Sequence, residues 1–459
     1  MQSSPARVAA VLLILLAAIF VPLVASGYAE LEQASTAGSY LEAASHYQVA
    51  AQRLPWRADL YELSGHAYYH AEQYSQADDV YRRAFRRNAL SAEGWVAWGD
   101  VLYLNNEPAL AAQIWEQGLE QERVSEHLFS RLSQVYKENK DYANAALYLQ
   151  KYVDLHEQDA SARYRLGLLL ALTDPGAALS ELIAASELDP QLDPAVETLR
   201  SALNLAALED SLSARLVLTG RGLGLVQEWE LARAAFESAV KADEENADAW
   251  AWLGESNYHS GLEGRAALDW ALELDQNSPT VRGLRGLYFE RTGNFRNALI
   301  EFQAAARLDE SNPAWQVSIG ESYSKLGDLI RALGAYQTAT ALAPEDPNYW
   351  RLLALFCAQN NVNVDTVGIP AAQQAVVLEE SAASLDLLGW LLLLDRRYEE
   401  SERILNQALG LEPQNASVHL HLGMLYLQTE DRAAAYGHFV SARDLGSTDA
   451  EAILNQYFP

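Results

Sequence analysis

One cysteine in 459 residues, Cys357, excludes an intrachain disulfide and any cysteine metal framework. It sits in the apolar stretch Trp350–Cys357, where a lone thiol reads as a small buried hydrophobe. Basic charge is scarce too: 33 Lys and Arg stand against 62 Asp and Glu, a net charge of −29. Phosphates need a basic stripe, so nucleic acid is not an expected partner. The acidity keeps a long chain soluble or attracts basic partner segments. Catalytic signatures are also missing: no Gly-rich phosphate loop, no Gly-x-Ser-x-Gly elbow, no cysteine set. The run Arg221-Gly222-Leu223-Gly224-Leu225 fits no dinucleotide fingerprint, and its glycines read as helix-packing residues. The chain is therefore expected not to be an enzyme, with no catalytic residue, metal or cofactor. Hydrophobic residues make up 50% and charged residues 21%, which argues for a packed core rather than disorder.

What is present is a block that recurs about every 34 residues. One copy reads Leu388, Gly389, Leu392, then Tyr398, Ser401, Leu405, Ala408, ending at Leu411-Glu412-Pro413. Another reads Ile319, Gly320, Tyr323, then Leu329, Ala332, Tyr336, Ala339, ending at Pro344. Further glycines at 65, 99, 167, 254, 286 and 423 mark more copies, and a truncated first copy ends at Leu54-Pro55. A unit this short cannot bury its own apolar face. It must stack on neighbours, which makes an elongated solenoid with a long surface.

The amino-terminal stretch Val8–Ala25 carries no charge, and Gly27-Tyr28-Ala29 can extend it. That is near the lower length for crossing a bilayer as a helix. Residues 8–29 are therefore expected to be a membrane anchor, with 1–7 as a short cytoplasmic terminus. Arg7 precedes the run and Glu30 and Glu32 follow it, which places the repeats on the extracytoplasmic side. The rival is a signal peptide cleaved near Ala25, Ser26 and Gly27, which would leave a secreted or periplasmic chain.

The block resembles the tetratricopeptide repeat (TPR). That family pairs two antiparallel helices per repeat, with Gly and an aromatic on the first, Ala-aromatic-Ala on the second, and Pro closing the unit. The resemblance covers nearly everything after about residue 27. It implies an all-α, right-handed superhelical solenoid of helical hairpins preceded by one transmembrane helix. Gly and Ala let the helices of a repeat approach, and the aromatics are expected to fill the gap between repeats. The organisation read from the pattern is a first block over 30–190, an irregular helix over 191–212, a second block over 213–445 and a capping helix over 446–459. The polar run Asn360–Pro370 reads as a surface loop or a contact feature, and the loop is preferred.

In this family the first helix of each repeat lines the concave groove. The resemblance thus implies inward positions at Glu62, His66, Tyr69, His70, Asp100, Tyr103, Glu255 and Tyr258, an acidic-aromatic set suited to a basic or polar segment. It also implies Leu355, Trp390, Leu393, Leu420, Met424 and Leu427, an apolar set suited to an amphipathic helix. The Lys-Arg-Asn clamp that some relatives use for chain-terminal carboxylates is not matched. Glu62, His66 and His70, spaced four apart, lie along one helix face and suggest a divalent-metal set; a polar groove surface is the preferred reading. His419 and His421 face different sides of a helix. The function expected is a non-enzymatic, membrane-tethered scaffold that assembles other proteins through its groove. The alternative is an accessory subunit of an envelope glycan synthesis or export machine.

Overall fold

The computed structural model describes residues 5–120 and 127–458, apart from the side chains of 5–8, 10, 11 and 127. The cytoplasmic segment expected over 1–7, with its orienting Arg7, lies outside the described side chains. The described residues form helices joined by short turns, with no strand, and consecutive helices pair as hairpins along each unit. Contacts divide the chain into two units. One is Met1–Asp210 with Leu218–Ala235; the other is Ser211–Val217 with Phe236–Pro459. Each is an all-α solenoid of stacked hairpins.

Helix starts are written locally. Ser91, Asp159, Asn246, Ser278, Asn312, Ser381 and Asn415 cap first helices by accepting a backbone N–H with the side chain. Asp141, Asn294, Asp328 and Asp431 do the same for second helices. Pro279, Pro313 and Pro347 open first helices, where a missing N–H costs nothing. Between the helices of a hairpin the chain passes through the left-handed region. Gly293 (φ 77°) and Gly327 (φ 79°) take it as the sequence suggests; Arg396 (φ 60°) and Glu430 (φ 66°) take it without glycine.

The repeating glycine has a specific partner. A Cβ on Gly65 would stand 2.6 Å from the Tyr81 ring, on Gly286 2.5 Å from Phe302, and on Gly423 2.6 Å from Phe439. Each ring lies 16 residues on, in the second helix of the same hairpin, and Tyr81, Phe302 and Phe439 are fully buried. These aromatics therefore close first on their own hairpin's glycine, which corrects the expectation that they mainly bridge repeats. Fully buried alanines such as Ala77, Ala84, Ala298 and Ala305 flank them and bring the helices together.

In the first unit, Pro5–Thr36 is one unbroken helix. It is the helix among the described residues long and apolar enough to cross a membrane. Its far end is the first helix of the first hairpin. Gly27 is buried against Leu54, Val24 and Leu31 pack on the Ala50–Leu54 cluster, and Glu30 holds Arg53 at 2.8 Å and His46 at 2.6 Å.

The 360–370 run corrects the preferred loop. Asn361 and Asn363 take left-handed φ, and Val364–Gly368 makes a single π turn. Val362, Val364 and Val367 pack against the core, and Gly368 is buried beneath Cys357 and Leu391. Asparagine supplies the turns, and alternate valines bury what a polar composition hides. Cys357 is itself fully buried, which pushes its thiol up to about 11.

Candidate partner-binding hollows

Two of the hollows in the first unit are lined by sequence-predicted residues. One, of about 430 Å³, is lined by Tyr69, Asp100, Tyr103, Trp115, Arg131 and Gln134. Asp100 accepts from Arg131 at 2.6 Å, and Tyr103 donates its hydroxyl to Glu138 at 3.1 Å. Burial pushes the Asp100 carboxyl above its ordinary range, and Arg131 only partly offsets this. The other, of about 460 Å³, is lined by Tyr40, Tyr47, Leu63, His66 and His70. Its His70 ring lies 5.1 Å from Tyr40 and 5.4 Å from Tyr69.

Glu62 does not face these hollows. It is buried and accepts from Ser91 N at 2.6 Å and Ser91 Oγ at 2.5 Å, which ties one first helix to the cap of the next. His66 Nδ1 is occupied by the Tyr81 hydroxyl at 3.0 Å. Glu62 and His66 meet, with His66 Nε2 3.4 Å from Glu62 Oε1, but His70 turns to Tyr40 and Tyr69, so the three do not converge on one point, and no group of three metal-ligating side chains does so among the described residues.

In the second unit Glu255 is likewise buried, with both carboxylate oxygens 2.7 Å from Arg291. The Arg291 guanidinium sits over the Tyr258 ring at 5.4 Å, so Tyr258 lines an internally neutralised wall. Glu62 and Glu255 therefore brace the solenoid and do not offer charge to a groove. A helical wheel gives the direction of a side chain but not whether a neighbouring repeat covers it.

The apolar set comes together better. A hollow of about 450 Å³ is lined by Asn348, Arg351, Leu355, Asp386, Trp390 and His421. A second of similar volume is lined by Trp390, Leu393, Met424, Leu427, Ile453 and Tyr457. Trp390 forms a wall of both. Leu420 packs with Met424 and Leu427 on the final core cluster and lines neither. Trp390 stacks on the buried His421 ring at 4.9 Å, and His421 Nδ1 lies 2.8 Å from Asp386 Oδ1. Asp386 Oδ2 also accepts from Ser417 Oγ at 2.6 Å. Sequence reading missed Arg131, Gln134, Arg351 and this Asp386–His421 pair. The one available signal for the pair was that Asp386 precedes Gly389 by three, as Glu62 precedes Gly65.

Stacked hairpins with solvent-facing hollows on their first helices define a repeat solenoid of the kind that holds other proteins. The tetratricopeptide repeat profile matches residues 63–123, 226–282, 263–313, 317–361 and 387–450, more than half of the chain, and the chain belongs to this family. Family membership makes a protein-interaction scaffold its coarse functional class.

The chain is 24% identical over 148 residues to anaphase-promoting complex subunit 3 of Schizosaccharomyces pombe, a match covering 32% of this chain. It spans only 22% of that relative's length. Among solved structures it is similar to the APC/C Cut9–Hcn1 hetero-tetramer at 16% identity and a TM-score of 0.44, covering 94% of this chain and 95% of that one. It is also similar to yeast Tom70 at 16% identity and a TM-score of 0.40, covering 96% and 95%.

Proposed function

We propose that this chain is a membrane-tethered scaffold that assembles other proteins by holding their segments in the hollows of its first helices. The observation that carries this reading is Trp390: one half-buried indole walls two adjoining apolar hollows that the chain leaves open. An amphipathic partner helix fits such a strip, since its apolar residues recur on one face. The tether is the Pro5–Thr36 helix, whose stretch Leu12–Leu23 is exposed. Retention of that helix, and not cleavage, is supported by the burial of Gly27 at the candidate cleavage region.

The test is photo-crosslinking in the full-length, membrane-inserted chain, with benzoylphenylalanine at position 390 or 69. Discrete protein adducts are expected at both positions and not at Ile330, which is 86% exposed on a second helix. Equal labelling at all three positions defeats groove binding. The hollow of the first unit favours a second reading, because Tyr69, Tyr103 and Trp115 beside Asp100, Arg131 and Gln134 also suit a sugar. In that case deletion of the chain alters surface glycan and position 69 yields no protein adduct.

A further inference from the structure

The apolar helix is not joined to the repeats by a free linker. It runs without a break into the first hairpin, and a turn from that hairpin comes back alongside it. This turn, Leu54–Arg57, connects the Tyr40–Arg53 and Asp59–His70 helices. Leu54 is fully buried beneath Gly27. Arg53 binds Glu30, one turn beyond the uncharged run, and its guanidinium reaches the carbonyl of Ser26 at 3.5 Å. Trp56 then lies against Phe20, with ring centroids 6.0 Å apart.

Phe20 lies inside the uncharged run, five residues before its end at Ala25. At 1.5 Å per residue that is about 7 Å below the end of the apolar surface. A helix that spans the membrane with Val8–Ala25 in hydrocarbon therefore carries Trp56 down to the boundary between hydrocarbon and headgroups, the depth at which tryptophan is enriched. Trp56 is suited to that depth: its ring is 51% exposed, with an apolar body against Phe20 and an indole N–H free to meet water or headgroup oxygen. Tyr28, 50% exposed, lies eight residues beyond Phe20 on the same helix. Arg57 follows Trp56 directly and is held by Asp59 at 2.7 Å.

We propose that the Leu54–Arg57 turn is a membrane foot, which seats Trp56 in the phospholipid interface beside Phe20 and so fixes the first hairpin against the bilayer. The inference rests on the reading of Val8–Ala25 as a membrane span. Its consequence is mechanical: the solenoid leaves the membrane at a set angle, with two points of attachment in place of a swivel.

The experiment uses the full chain in phosphatidylcholine–phosphatidylglycerol nanodiscs. An environment-sensitive fluorophore is placed on Pro55→Cys, Leu16→Cys or Leu155→Cys in a Cys357→Ala background, and quenching is read with lipids carrying a nitroxide near the headgroup or deep in the chain. The label at 55 is expected to be quenched by the shallow nitroxide at least twofold more than the label at 155, and adding Trp56→Ser is expected to reduce that difference. Quenching at 55 no greater than at 155, while the label at 16 responds to the deep nitroxide, overturns the foot and leaves the span intact. A label at 16 that responds to neither nitroxide overturns the span, and the foot with it.

Discussion

Glu62 reaches across to Ser91, 29 residues later, and accepts both its backbone N–H and its hydroxyl. Ser91 is the cap of the Ala92–Leu104 helix, so a carboxylate from one repeat closes the start of the next. A negative charge is favoured there, because the first N–H groups of a helix have no partner within it. Burial opposes ionisation of Glu62, but the His66 and Ser91 hydrogen bonds outweigh it and hold the carboxyl below its ordinary value of 4.5. Glu62→Ala is expected to destabilise the chain by about 1–3 kcal/mol, the cost of leaving a buried donor unpaired. The sign with pH follows from the lowered value: the contribution is complete above about 4.5 and is lost as pH falls through the folded value. Urea titrations at pH 7 and pH 3.5 check this; a wild-type to Glu62→Gln gap that is equal at both pH values defeats it.

The same substitution has opposite signs at two glycines. A Cβ on Gly423 meets the fully buried Phe439 ring at 2.6 Å, so Gly423→Ala overpacks the last complete hairpin and is expected to cost about 1–3 kcal/mol. Gly334 lies in the interior of the Leu329–Leu342 helix with nothing within 4 Å of its added Cβ. There alanine restricts the unfolded chain and fits the helix, so Gly334→Ala is expected to stabilise by about 0.5–1 kcal/mol. Thermal melts of the two variants resolve the difference. A loss at both positions would show that the glycines are not distinguished by what faces them.

The contrast explains how far the sequence could be read. Gly423 and Phe439 are visible in one dimension, because close approach demands a missing side chain and its filler lies a fixed 16 residues on. That spacing makes the hairpins, their order and their register legible. The hollows are less so. Arg131, Arg351 and His421 reach them from neighbouring repeats, about 30 residues away from the positions they meet, and no local pattern announces such a pairing. Glu62 and Glu255 have the right helical phase for a groove, yet Ser91 and Arg291 cover them. Val362, Val364 and Val367 were hidden by the polar residues between them.

His438 stands with its Nδ1 3.0 Å from His419 Nδ1 and its ring stacked at 5.4 Å on Tyr426. Burial first, and the neighbouring His419 charge second, push the His438 imidazole below its ordinary value of 6.5. The unfolded chain then takes up the proton first, so this contribution to stability is complete above about 6.5 and is lost as pH falls through the folded value. Amide exchange in the Ala416–Gln428 and Arg432–Asp444 hairpin, corrected for intrinsic rates, is expected to quicken between pH 7.5 and 5.5 in wild type. In His438→Gln the change is expected to be smaller. Parallel behaviour of the two proteins would dismiss the histidine as its source.

Trp390 carries the functional reading, so its removal is the sharpest test of it. The indole is half-buried, stacked on His421 and shared by two hollows, which is the setting in which an aromatic anchors an interface. It packs on the edge of the core and both hollows it walls meet solvent, so Trp390→Ala is expected to keep its helical circular dichroism. Partner capture should suffer far more. With the photo-crosslinker moved to Leu355, which lines the same hollow, Trp390→Ala is expected to lower the yield of protein adduct by about 30-fold or more, the effect of removing an anchor worth about 2 kcal/mol. Ile330→Ala, on an exposed second helix, serves as the matched control and should leave that yield unchanged. If Trp390→Ala retains its helicity and the adduct at 355 forms at the wild-type yield, partners are held elsewhere on the chain and the apolar strip is not the surface that recruits them.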